Sequence, residues 1–524
     1  MKVLDFFLAF DAGTGSVRAV LFNEKGEQVC VAQQEWTHLS DSNYPGSMDF
    51  DYVNNWNVIV QCIKEVLTKS AIDPKLIKAV SATSMREGFV LYDKSGRELW
   101  ACANVDARAD LEVATLKLNN GGLEREIYKL SGQTFALGAV PRLLWLKNHK
   151  PEIFEKVCSI TMINDWILYK LSGVLQADPS NGCTTGMFDL INRKWSDEIS
   201  LFCDIDKEIF TTVNEAGTII GNINSSVAQT TGLSGETLVV AGGGDAQLAS
   251  VGVGAIEKGQ AVVSGGSFWQ QEVNIDVPII DSDSRVRINC HAVPNLWQIE
   301  TIAFFPGVVT RWFRDSFCDK EIEEANKMGK DFYEVMEEKA KDVPVGSYGV
   351  IPIFSDIMNF ISWRHAAPSF INLSLDQKKS GKHVLFRALQ ENAAMVTLGN
   401  FKIIEELTGN FPQEVIFAGG ASNGKLWSQI LADVLGIKVR VPEIKEAAAL
   451  GTALYAGVAS GVFESISEAV QRVVKWERVY EPNMEHHKKY QEFYETWRNV
   501  YIEQLKLADK NITEHMWKAP GLTI

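Results

Sequence analysis

The chain has 524 residues, of which 46% are hydrophobic and 22% are charged, and its formal net charge is -15. This length allows two substantial hydrophobic cores, and the charged fraction is normal for a globular enzyme. The acidic balance, without any long Lys/Arg run, argues against nucleic-acid or anionic-membrane partners, so a bound anion has to be held locally by backbone amides, a metal ion and a few cations.

Targeting and redox signals favour a cytoplasmic protein. The eight cysteines form no C-x-x-C pair and have no metal-ligand spacing with the eight histidines, which predicts reduced, mostly buried thiols. Asp5 and Asp11 interrupt the apolar N-terminal stretch, which argues against a signal peptide. Residues 447–463 carry no charge but are short for a bilayer, so we expect a buried helix there.

The first predicted elements are two strands joined by a glycine-rich turn. Residues 4–10 form an apolar run, 11–16 read Asp-Ala-Gly-Thr-Gly-Ser, and 17–22 form a second apolar run that ends in a polar turn. Short apolar runs bounded by glycine and polar residues are typical of strands. The sequence therefore predicts a hairpin whose turn is rich in glycine.

The same pattern of an apolar run leading into glycines returns at residues 238–245, 260–267 and 415–420. This repetition is weak support for an internal duplication. Between and after these turns lie helical patterns at 54–67, 385–407, 425–435 and 490–505. Alternating strands and helices predict an α/β protein, with a domain boundary and hinge near residues 248–256.

The glycine-rich turns are candidate phosphate sites, because glycine lets backbone N–H groups approach an anion closely. In the first turn, hydroxyls and one cation add further donors, and the carboxylate of Asp11 is suited to Mg²⁺. The alternative is an ordinary hairpin turn with a solvated Asp11. A second turn on the other half favours the phosphate interpretation, since two turns can clamp a polyphosphate. The candidates are Gly13, Thr14, Gly15, Ser16, Arg18, Gly266 and Ser267.

Residues 419–425 match two other motifs, and both are incomplete. They satisfy the first part of a P-loop, but Leu426 stands where the Mg²⁺-binding hydroxyl is needed. The G-x-S-x-G spacing around Ser422 fits a nucleophile elbow, with a downstream acid and histidines to complete a triad, which makes a serine esterase the second hypothesis. An esterase leaves the other turns without a role. The triad candidates are Asp433, His486, His487 and His515.

Two arginine–carboxylate segments are candidate sites for a polyol. Arg86-Glu87 and Asp106-Ala-Arg108 each lie next to an apolar stretch. Charged groups that donate and accept hydrogen bonds suit the recognition of hydroxyls. The alternative for both segments is a structural ion pair. A non-catalytic sugar-binding protein is the third hypothesis, but it requires neither phosphate turns nor a base.

Asp245, which follows three glycines, is the candidate general base. A carboxylate can take the proton of an alcohol while that alcohol attacks a γ-phosphate, and the glycines let a substrate approach. As an alternative, Asp245 caps a helix. That helix, at residues 246–248, is expected to be short because further glycines follow.

Taken together, these motifs resemble the FGGY family of carbohydrate kinases, which includes glycerol kinase and xylulokinase. The resemblance covers residues 8 to about 477 and is carried by Asp11–Arg18, Gly244–Gln247, Gly266-Ser267, Phe417–Ala421 and Glu446–Gly451. It implies two ribonuclease H-like domains of the actin and hexokinase type, at residues 1–250 and 251–524. It also implies ATP with Mg²⁺ and a small sugar-like substrate in the cleft between the domains, whereas protein partners stay open.

The resemblance also implies roles for individual residues. Asp245 falls on the catalytic base and Asp11 on the metal site. Arg86, Glu87, Asp106, Asp245 and Gln247 would bind substrate. The first turn, from Gly13 to Arg18, and Gly266, Ser267 and Gly307 would bind the ATP phosphates. The adenosine would lie against Gly419, Gly420, Ala421 and Gly424.

The chain departs from the family pattern at three positions. Val105 replaces a tryptophan that lies against the substrate in glycerol kinase, which speaks against glycerol. Arg142 stands where one family signature has lysine, and Asn372 where another has glycine. These departures leave the phosphate turns intact. A pentulose or another polyol remains the alternative substrate.

Overall fold

The computed structural model describes residues 4–119, 122–136, 138–360, 364–444 and 446–518. Its strands are β1 (Phe6–Ala12), β2 (Ser16–Asn23), β3 (Gln28–Glu35), β4 (Ile77–Ser84), β5 (Phe89–Tyr92), β6 (Glu98–Cys102), β7 (Ser159–Met162), β8 (Phe188–Asp189), β9 (Lys194–Trp195), β10 (Ile219–Asn222), β11 (Leu238–Gly244), β12 (Ala261–Gly265), β13 (Trp269–Ile275), β14 (Arg287–Cys290), β15 (Trp297–Ile302), β16 (Ile351–Ile353), β17 (Ser369–Ile371), β18 (Glu414–Ala418), β19 (Lys438–Pro442) and β20 (Trp476–Tyr480).

The α-helices are α1 (Tyr52–Ser70), α2 (Asp110–Asn119), α3 (Leu123–Ser131), α4 (Ala139–His149), α5 (Pro151–Phe154), α6 (Ile163–Ser172), α7 (Pro179–Gly182), α8 (Asp197–Phe202), α9 (Ser225–Thr231), α10 (Asp245–Gly252), α11 (Pro306–Phe317), α12 (Asp319–Met328), α13 (Phe332–Ala340), α14 (Gln377–Ser380), α15 (Lys382–Thr408), α16 (Lys425–Leu435), α17 (Ala447–Ala459), α18 (Ile466–Val473) and α19 (Met484–Asp509). Among the described helices, none combines the length and apolar character needed to cross a membrane.

Two large sheets have the same plan. The first has the order β10-β11-β4-β1-β2-β3, in which β1, β2 and β3 form an antiparallel meander and β4 and β11 extend it in parallel. The second has the order β14-β15-β13-β12-β18-β19-β20, in which β12 starts a meander and β18 and β19 extend it in parallel. In each sheet an antiparallel strand, β10 or β20, closes the parallel side. This repeated topology agrees with the predicted duplication and confirms the α/β architecture.

The predicted helices are present, and each extends to its own capping residues. The segment predicted at 54–67 lies within α1, where the Asp51 side chain accepts a hydrogen bond from the Asn54 amide at 3.0 Å. The segments at 385–407 and 490–505 lie within the longer helices α15 and α19, and the segment at 425–435 coincides with α16. The uncharged segment at 447–463 contains α17, which is largely buried, as expected.

The helix after Asp245 is longer than the sequence predicted. Instead of ending at residue 248, α10 continues to Gly252 and packs against α17. A Cβ at Gly252 would lie 1.9 Å from the Ala447 carbonyl oxygen, and one at Gly451 would lie 1.9 Å from the Leu248 carbonyl oxygen. Gly252 was expected to end its helix, whereas Gly451 lies inside the helix predicted at 447–463. In the structure both glycines allow the two helices to cross in close contact.

The helices α17 and α18 return to the first sheet although they lie late in the sequence. Their apolar side chains join residues of β1, β2 and β4 in one buried cluster, which includes Phe7, Val20 and Leu450. The chain passes from the first sheet to the second through α10, at the predicted boundary near residues 248–256, and this part is a packed helix followed by buried Val253 and Ala255. The limits 1–250 and 251–524 stay a prediction.

Candidate active site

Three parallel strands of the first sheet bring the candidate residues to one edge. Ala12 at the end of β1 is paired with Ser84 at the end of β4, and Gly244 at the end of β11 is paired with the same residue. Residues that directly follow these strands therefore lie close together, as is usual for sites on parallel sheets. They are the first glycine turn, the Arg86-Glu87 segment and Asp245.

Two aromatic side chains from outside the first glycine turn hold it by hydrogen bonds to its carbonyl groups. The Trp36 indole donates to the carbonyl oxygens of Gly13 and Thr14 at 3.1 and 3.2 Å, and a His38 ring nitrogen lies 2.6 Å from the Thr14 oxygen. Because the peptide group is planar and trans, the N–H groups of Thr14 and Gly15 point away from these side chains. A Cβ at Gly15 would meet no atom within 4 Å, so the turn has open space in front of it.

Side chains of the turn and of β2 are also engaged. The Thr14 hydroxyl donates to the Asn104 side chain at 3.1 Å, and the Ser16 hydroxyl accepts from Gln33 at 3.4 Å. The Arg18 guanidinium lies 2.8 Å from the Glu446 carboxylate and 3.7 Å from that of Asp11. Arg18 is thus placed beside the turn, already balanced by two acids.

Asp11 has the properties of a Mg²⁺ ligand that acts together with phosphate oxygens. Burial raises its pKa to about 7, opposed by Arg18 and reinforced by the nearby carboxylates of Asp245 and Glu446. Such crowding of acids is relieved when a cation binds. In the described part of the chain no group of three His, Cys, Asp or Glu side chains is placed to hold a metal ion. Mg²⁺ in phosphoryl-transfer sites needs only one or two carboxylates, so Asp11 fits it.

Arg86 and Glu87 reach across to the second sheet instead of pairing with each other. Both terminal nitrogens of Arg86 contact the Glu300 carboxylate, and its Nε lies 3.6 Å from Oδ1 of Asp245. The Glu87 carboxylate contacts the Arg287 guanidinium. The segment thus joins the two halves of the molecule through two buried ion pairs.

The backbone of Glu87 is strained and firmly held. Its φ of 68° is in the left-handed region, which residues other than glycine rarely adopt. Its N–H donates to the Thr184 hydroxyl at 3.2 Å, and its carbonyl accepts from Arg142 at 2.7 Å. The surrounding structure therefore imposes the conformation, as is common where a side chain has to be aimed at a ligand.

The side chain of Asp106, which was predicted to bind substrate, is engaged in a separate ion pair. Its side chain is fully buried and forms an ion pair with Arg108 at 2.7 Å. One of its oxygens also accepts from the Met48 amide at 2.6 Å. Arg108 in turn contacts Asp49 and lies over the rings of Trp100 and Trp145. For this segment the geometry favours the structural ion pair that the sequence left as the alternative.

Asp245 is the first residue of α10, and its side chain retains 42% exposure. Burial of the site raises the pKa of its carboxyl, while Arg86 lowers it. Its oxygen accepts from the Ala246 amide at 2.8 Å, which fixes the carboxylate at the helix N-terminus. Gln247 is completely buried, and among the described residues its amide has no hydrogen-bond partner.

The second glycine turn lines a cavity of about 1060 Å³ in the second half. A Cβ at Gly307 would lie 2.0 Å from the Gly266 carbonyl oxygen, so Gly307 at the start of α11 lets the two backbones touch. The Arg311 guanidinium of the same helix lies 3.4 Å from the Ser267 hydroxyl. The cavity brings together most of the residues predicted for phosphate and adenosine in this half, namely Gly266, Ser267, Gly307, Gly420, Ala421 and Gly424.

Gly419 shapes the cavity although it does not line it. Its φ is 83°, and a Cβ there would lie 2.7 Å from the Gly265 carbonyl oxygen, so β18 and β12 end in contact. The following P-loop-like segment does not present a free helix N-terminus. The Glu337 carboxylate accepts from the amides of Leu426 and Trp427 at 3.0 and 3.1 Å. The site where a P-loop binds phosphate is therefore already occupied by a carboxylate.

The esterase alternative lacks its central hydrogen bond. The Ser422 hydroxyl donates to the Gly419 carbonyl at 2.8 Å and is largely buried. The Asp433 carboxylate does lie 2.8 Å from a ring nitrogen of His486, but both serve the contact between α16 and α19. A nucleophile elbow requires an exposed hydroxyl beside its base, so this arrangement does not support a triad.

Sequence reasoning missed several residues of the site. Arg287 and Glu300 were not identified, because their strands also contain Asn289, Gln298 and Thr301 and the sequence pattern does not mark them as buried. Both are buried in the structure, which is unusual for charged residues unless they are paired. Glu446 was considered only as part of a motif, and Arg311, on α11, was not identified as a site candidate. Arg142 was noticed only as a departure, yet its buried guanidinium binds the carbonyls of Glu87, Asn104 and Asp106.

Comparison with known proteins identifies the family. Residues 6–252 match the FGGY family of carbohydrate kinases, N-terminal domain, and residues 278–460 match its C-terminal domain. The autoinducer-2 kinase of Yersinia enterocolitica serotype O:8 is 51% identical over 519 residues, covering 99% of this chain and 98% of that protein. The autoinducer-2 kinase of Yersinia pseudotuberculosis serotype O:3 matches with the same identity and coverage.

Solved structures agree in fold. The xylulose kinase of Rhodospirillum rubrum superposes with a TM-score of 0.85 at 21% identity, covering 97% of this chain and 100% of the other. The glycerol kinase of Plasmodium falciparum, solved with ADP, has a TM-score of 0.82 at 18% identity, covering 95% and 98%. The repeated sheets, the shared strand-end site and the two family domains lead to one conclusion: this chain belongs to the FGGY family of carbohydrate kinases, transferases that phosphorylate a hydroxyl group.

Proposed function

We propose that the protein is an ATP- and Mg²⁺-dependent kinase that phosphorylates the primary hydroxyl of autoinducer-2, in its open-chain form (S)-4,5-dihydroxypentane-2,3-dione, in quorum-sensing signal processing. The observation that carries the substrate is the 51% identity over 99% of the chain to autoinducer-2 kinases. We place the enzyme in the cytoplasm, where ATP is available. A pentulose or another polyol is the alternative acceptor.

The geometry supports Asp245 as the general base. Its partly exposed carboxylate lies at the edge where the first turn and Arg86-Glu87 also end. In this role it accepts the proton of the substrate hydroxyl as the oxygen attacks the γ-phosphorus. Glu87 and Arg86, fixed by their partners on the second sheet, would orient the substrate. We assign Gln247 and Asp106 supporting roles beneath the site, because both are buried.

The nucleotide would be held mainly by the second half. The cavity beside Gly266 and Ser267 is large enough for a nucleoside, and Arg311 adds a cation next to the turn. The residues that line this cavity do not include the first turn at Gly13–Ser16. We therefore propose that the halves close on the nucleotide, so that both turns bind phosphate. When bound, Mg²⁺ would neutralise charge on the phosphates, held by Asp11.

The two glycine turns can be tested with added side chains. A Cβ at Gly13 or Gly266 would have no protein atom closer than 3.6 Å. We expect Gly13→Val and Gly266→Val to fold but to weaken ATP binding by more than about tenfold, because the side chain would occupy the phosphate position. Calorimetry with ATP measures this, and Gly235→Val, in an exposed turn outside the cavity, is the control. Unchanged ATP affinity in both variants would remove the two-turn clamp.

The substrate is tested directly by incubating the purified protein with ATP, Mg²⁺ and a panel of acceptors, and by measuring ADP. Autoinducer-2 should give the highest kcat/KM, while xylulose, ribulose and glycerol should react slowly or not at all. A higher kcat/KM with a pentulose would replace the proposed substrate and leave the kinase assignment in place. Omitting Mg²⁺ should abolish ADP formation with every acceptor.

A further inference from the structure

A row of ionisable side chains crosses the second sheet below the active site. The strand register places Glu300 of β15 opposite Arg287 of β14 on one side and opposite Glu272 of β13 on the other. All three residues are at most 3% exposed. Burying an unpaired charge destabilises a protein, so the partners of these side chains indicate which role they have.

Glu300 is the residue of this row that faces Arg86. Both terminal nitrogens of Arg86 contact its carboxylate, with Nη2 3.2 Å from Oε1, and the Asn289 side chain donates to Oε2 at 3.0 Å. The remaining guanidinium nitrogen of Arg86, Nε, lies 3.6 Å from Oδ1 of Asp245, beyond a good hydrogen bond. The guanidinium is therefore committed to Glu300 and only borders Asp245.

We propose that Glu300 is a positioning residue for phosphoryl transfer, which holds the Arg86 guanidinium away from Asp245 and so leaves that carboxylate free to accept the proton of the substrate hydroxyl. The inference rests on the proposed function, in which Asp245 is the base. An arginine without another partner would form a bidentate pair with the nearest carboxylate. Arg86 would then form an ion pair with Asp245, and the paired carboxylate would be a weaker base.

The position of Glu300 also makes the base depend on contact between the two halves. Arg86 follows β4 of the first sheet, whereas Glu300 belongs to β15 of the second, and the Glu87–Arg287 pair crosses the same boundary. If the halves separate, Arg86 loses Glu300 and can turn to Asp245. Proton abstraction is thereby favoured in the assembled cleft.

The acid limb of the pH profile of kcat/KM reports on this arrangement, because Asp245 has to be deprotonated to act. Removing the charge of Glu300 and releasing Arg86 both lower the pKa of Asp245, so the limb should move to lower pH. The other titratable groups that act on Asp245, Glu300 or their contacts are Asp11, Arg86, Glu87, Glu272 and Arg287, and Glu300→Gln leaves all five side chains in the protein.

The experiment compares the wild type with Glu300→Gln. We expect the acid limb to move down by about one pH unit, because a released opposite charge beside a carboxylate has an effect of that order. We also expect kcat above the limb to fall by about tenfold, since a weaker base removes the proton less effectively. An acid limb and a kcat within error of the wild type would overturn the proposal.

Glu272→Gln is the matched control in the same row. Burial raises the pKa of Glu272 well above its usual range, which favours the neutral carboxyl. Among the described residues neither of its carboxyl oxygens has a hydrogen-bond partner, so an amide replaces it without removing an ion pair. Its acid limb should coincide with that of the wild type. An equal shift in both variants would show that any change in the row moves the limb, which would overturn a specific role for Glu300.

Glu300→Asp covers the case in which the Gln variant does not fold. It keeps the charge but is one methylene shorter, so it holds Arg86 less well, and the limb should move in the same direction by a smaller amount. A wild-type profile in Glu300→Asp would overturn the proposal. Asp245→Asn separates the two levels: retained turnover there would contradict the proposed function itself, whereas lost turnover with an unmoved limb in the Glu300 variants would contradict only this inference.

Discussion

Two segments of the first half each contain an arginine close to a carboxylate in sequence, but the structure pairs these side chains differently. Arg86 and Glu87 each take a partner from the second sheet, and they border the carboxylate of Asp245. Asp106 and Arg108 close on each other and on Asp49, under two tryptophan rings. In our proposal the arginine and the carboxylate belong to the site in the segment where tertiary partners hold the two side chains apart. The side chains of Asp106 and Arg108 make their ion pairs within this cluster and do not offer their charges to a ligand.

Arg142 connects the two segments and explains why they are so close. Its buried guanidinium donates to the Glu87 carbonyl on one side and to the carbonyls of Asn104 and Asp106 on the other. A guanidinium has five donors in a planar fork, so it can bridge two loops in a way that a lysine cannot. The Asp106 segment therefore supports the Glu87 segment from below. The predictions that follow separate the two roles.

The largest effect is expected at Asp245. Asp245→Asn keeps the shape of the side chain but removes the base, which typically costs ~10²–10⁴-fold in kcat. Nucleotide affinity should change little, because the second half provides the nucleotide cavity. Steady-state kinetics together with calorimetry measures both quantities. Turnover near the wild-type level would exclude Asp245 as the base and would leave the Arg86 segment without a reaction to serve.

The second effect concerns the binding role of Glu87. Glu87→Gln should raise KM for the acceptor by roughly 10- to 100-fold, since a hydrogen bond to a charged group is worth about 1.5–3 kcal/mol. kcat should change less than KM if Glu87 binds ground state and transition state alike. Initial-rate kinetics with saturating ATP tests this. An unchanged KM would show that the Glu87–Arg287 pair joins the two halves without contacting the substrate.

Much of the fold follows from the sequence, because it depends on local patterns. The hairpin at the first turn and the helix α16 have local apolar patterns, and the buried helix α17 lies in an uncharged segment, so none of the three depends on distant residues for its prediction. The candidate site residues at the ends of β1, β4 and β11 could also be selected from the sequence, because polar residues directly follow apolar runs there, and their roles stay predictions. The ion-pair partners could not, since Arg86 and Glu300 are 214 residues apart and only the contact between the halves joins them.

The glycines show the same limit at a smaller scale. Gly252 suggests the end of a helix when its segment is considered alone, but together with Gly451 it allows the two helices to approach each other. Glu337 lies about 90 residues before the P-loop-like segment, yet it occupies the helix N-terminus that the motif would use. A local motif thus indicates what a segment can bind, and a distant residue decides whether the place is free.

The third effect is a pH dependence at Asp11. Its pKa of about 7 means that protons compete with Mg²⁺ in the neutral range. Because only the deprotonated carboxylate binds the cation, the affinity for Mg²⁺–nucleotide should fall as the pH decreases below 7, by up to about tenfold per pH unit. Calorimetric titrations between pH 6 and 8.5 measure this dependence.

Two variants, one at Asp11 and one at its neighbour Glu446, serve as controls. The titration of the nucleotide itself is the same with every variant, so it cancels in the comparison. Asp11→Asn should bind more weakly and lose the additional pH dependence. Glu446→Gln removes a neighbouring negative charge that raises the pKa of Asp11, so its profile should move to lower pH. An identical profile in the wild type and in Asp11→Asn would contradict a metal-binding role for Asp11.

The smallest effect on activity is expected at Asp106. In Asp106→Asn the amide oxygen can still accept from the Met48 amide, and Arg108 keeps Asp49 and the faces of Trp100 and Trp145. The loss of a buried charged hydrogen bond should therefore appear in the free energy of unfolding, as a decrease of about 1–3 kcal/mol, rather than in the kinetics. KM and kcat should stay within about threefold of the wild type, because the Asp106 carboxylate does not reach the cleft and Arg142 still supports Glu87 through backbone carbonyls.

Denaturant unfolding and acceptor kinetics on the same preparation, next to Glu87→Gln, make the comparison direct. A tenfold rise in KM with unchanged stability would return Asp106 to the substrate site that the sequence predicted, and the two segments would then differ less than their contacts indicate.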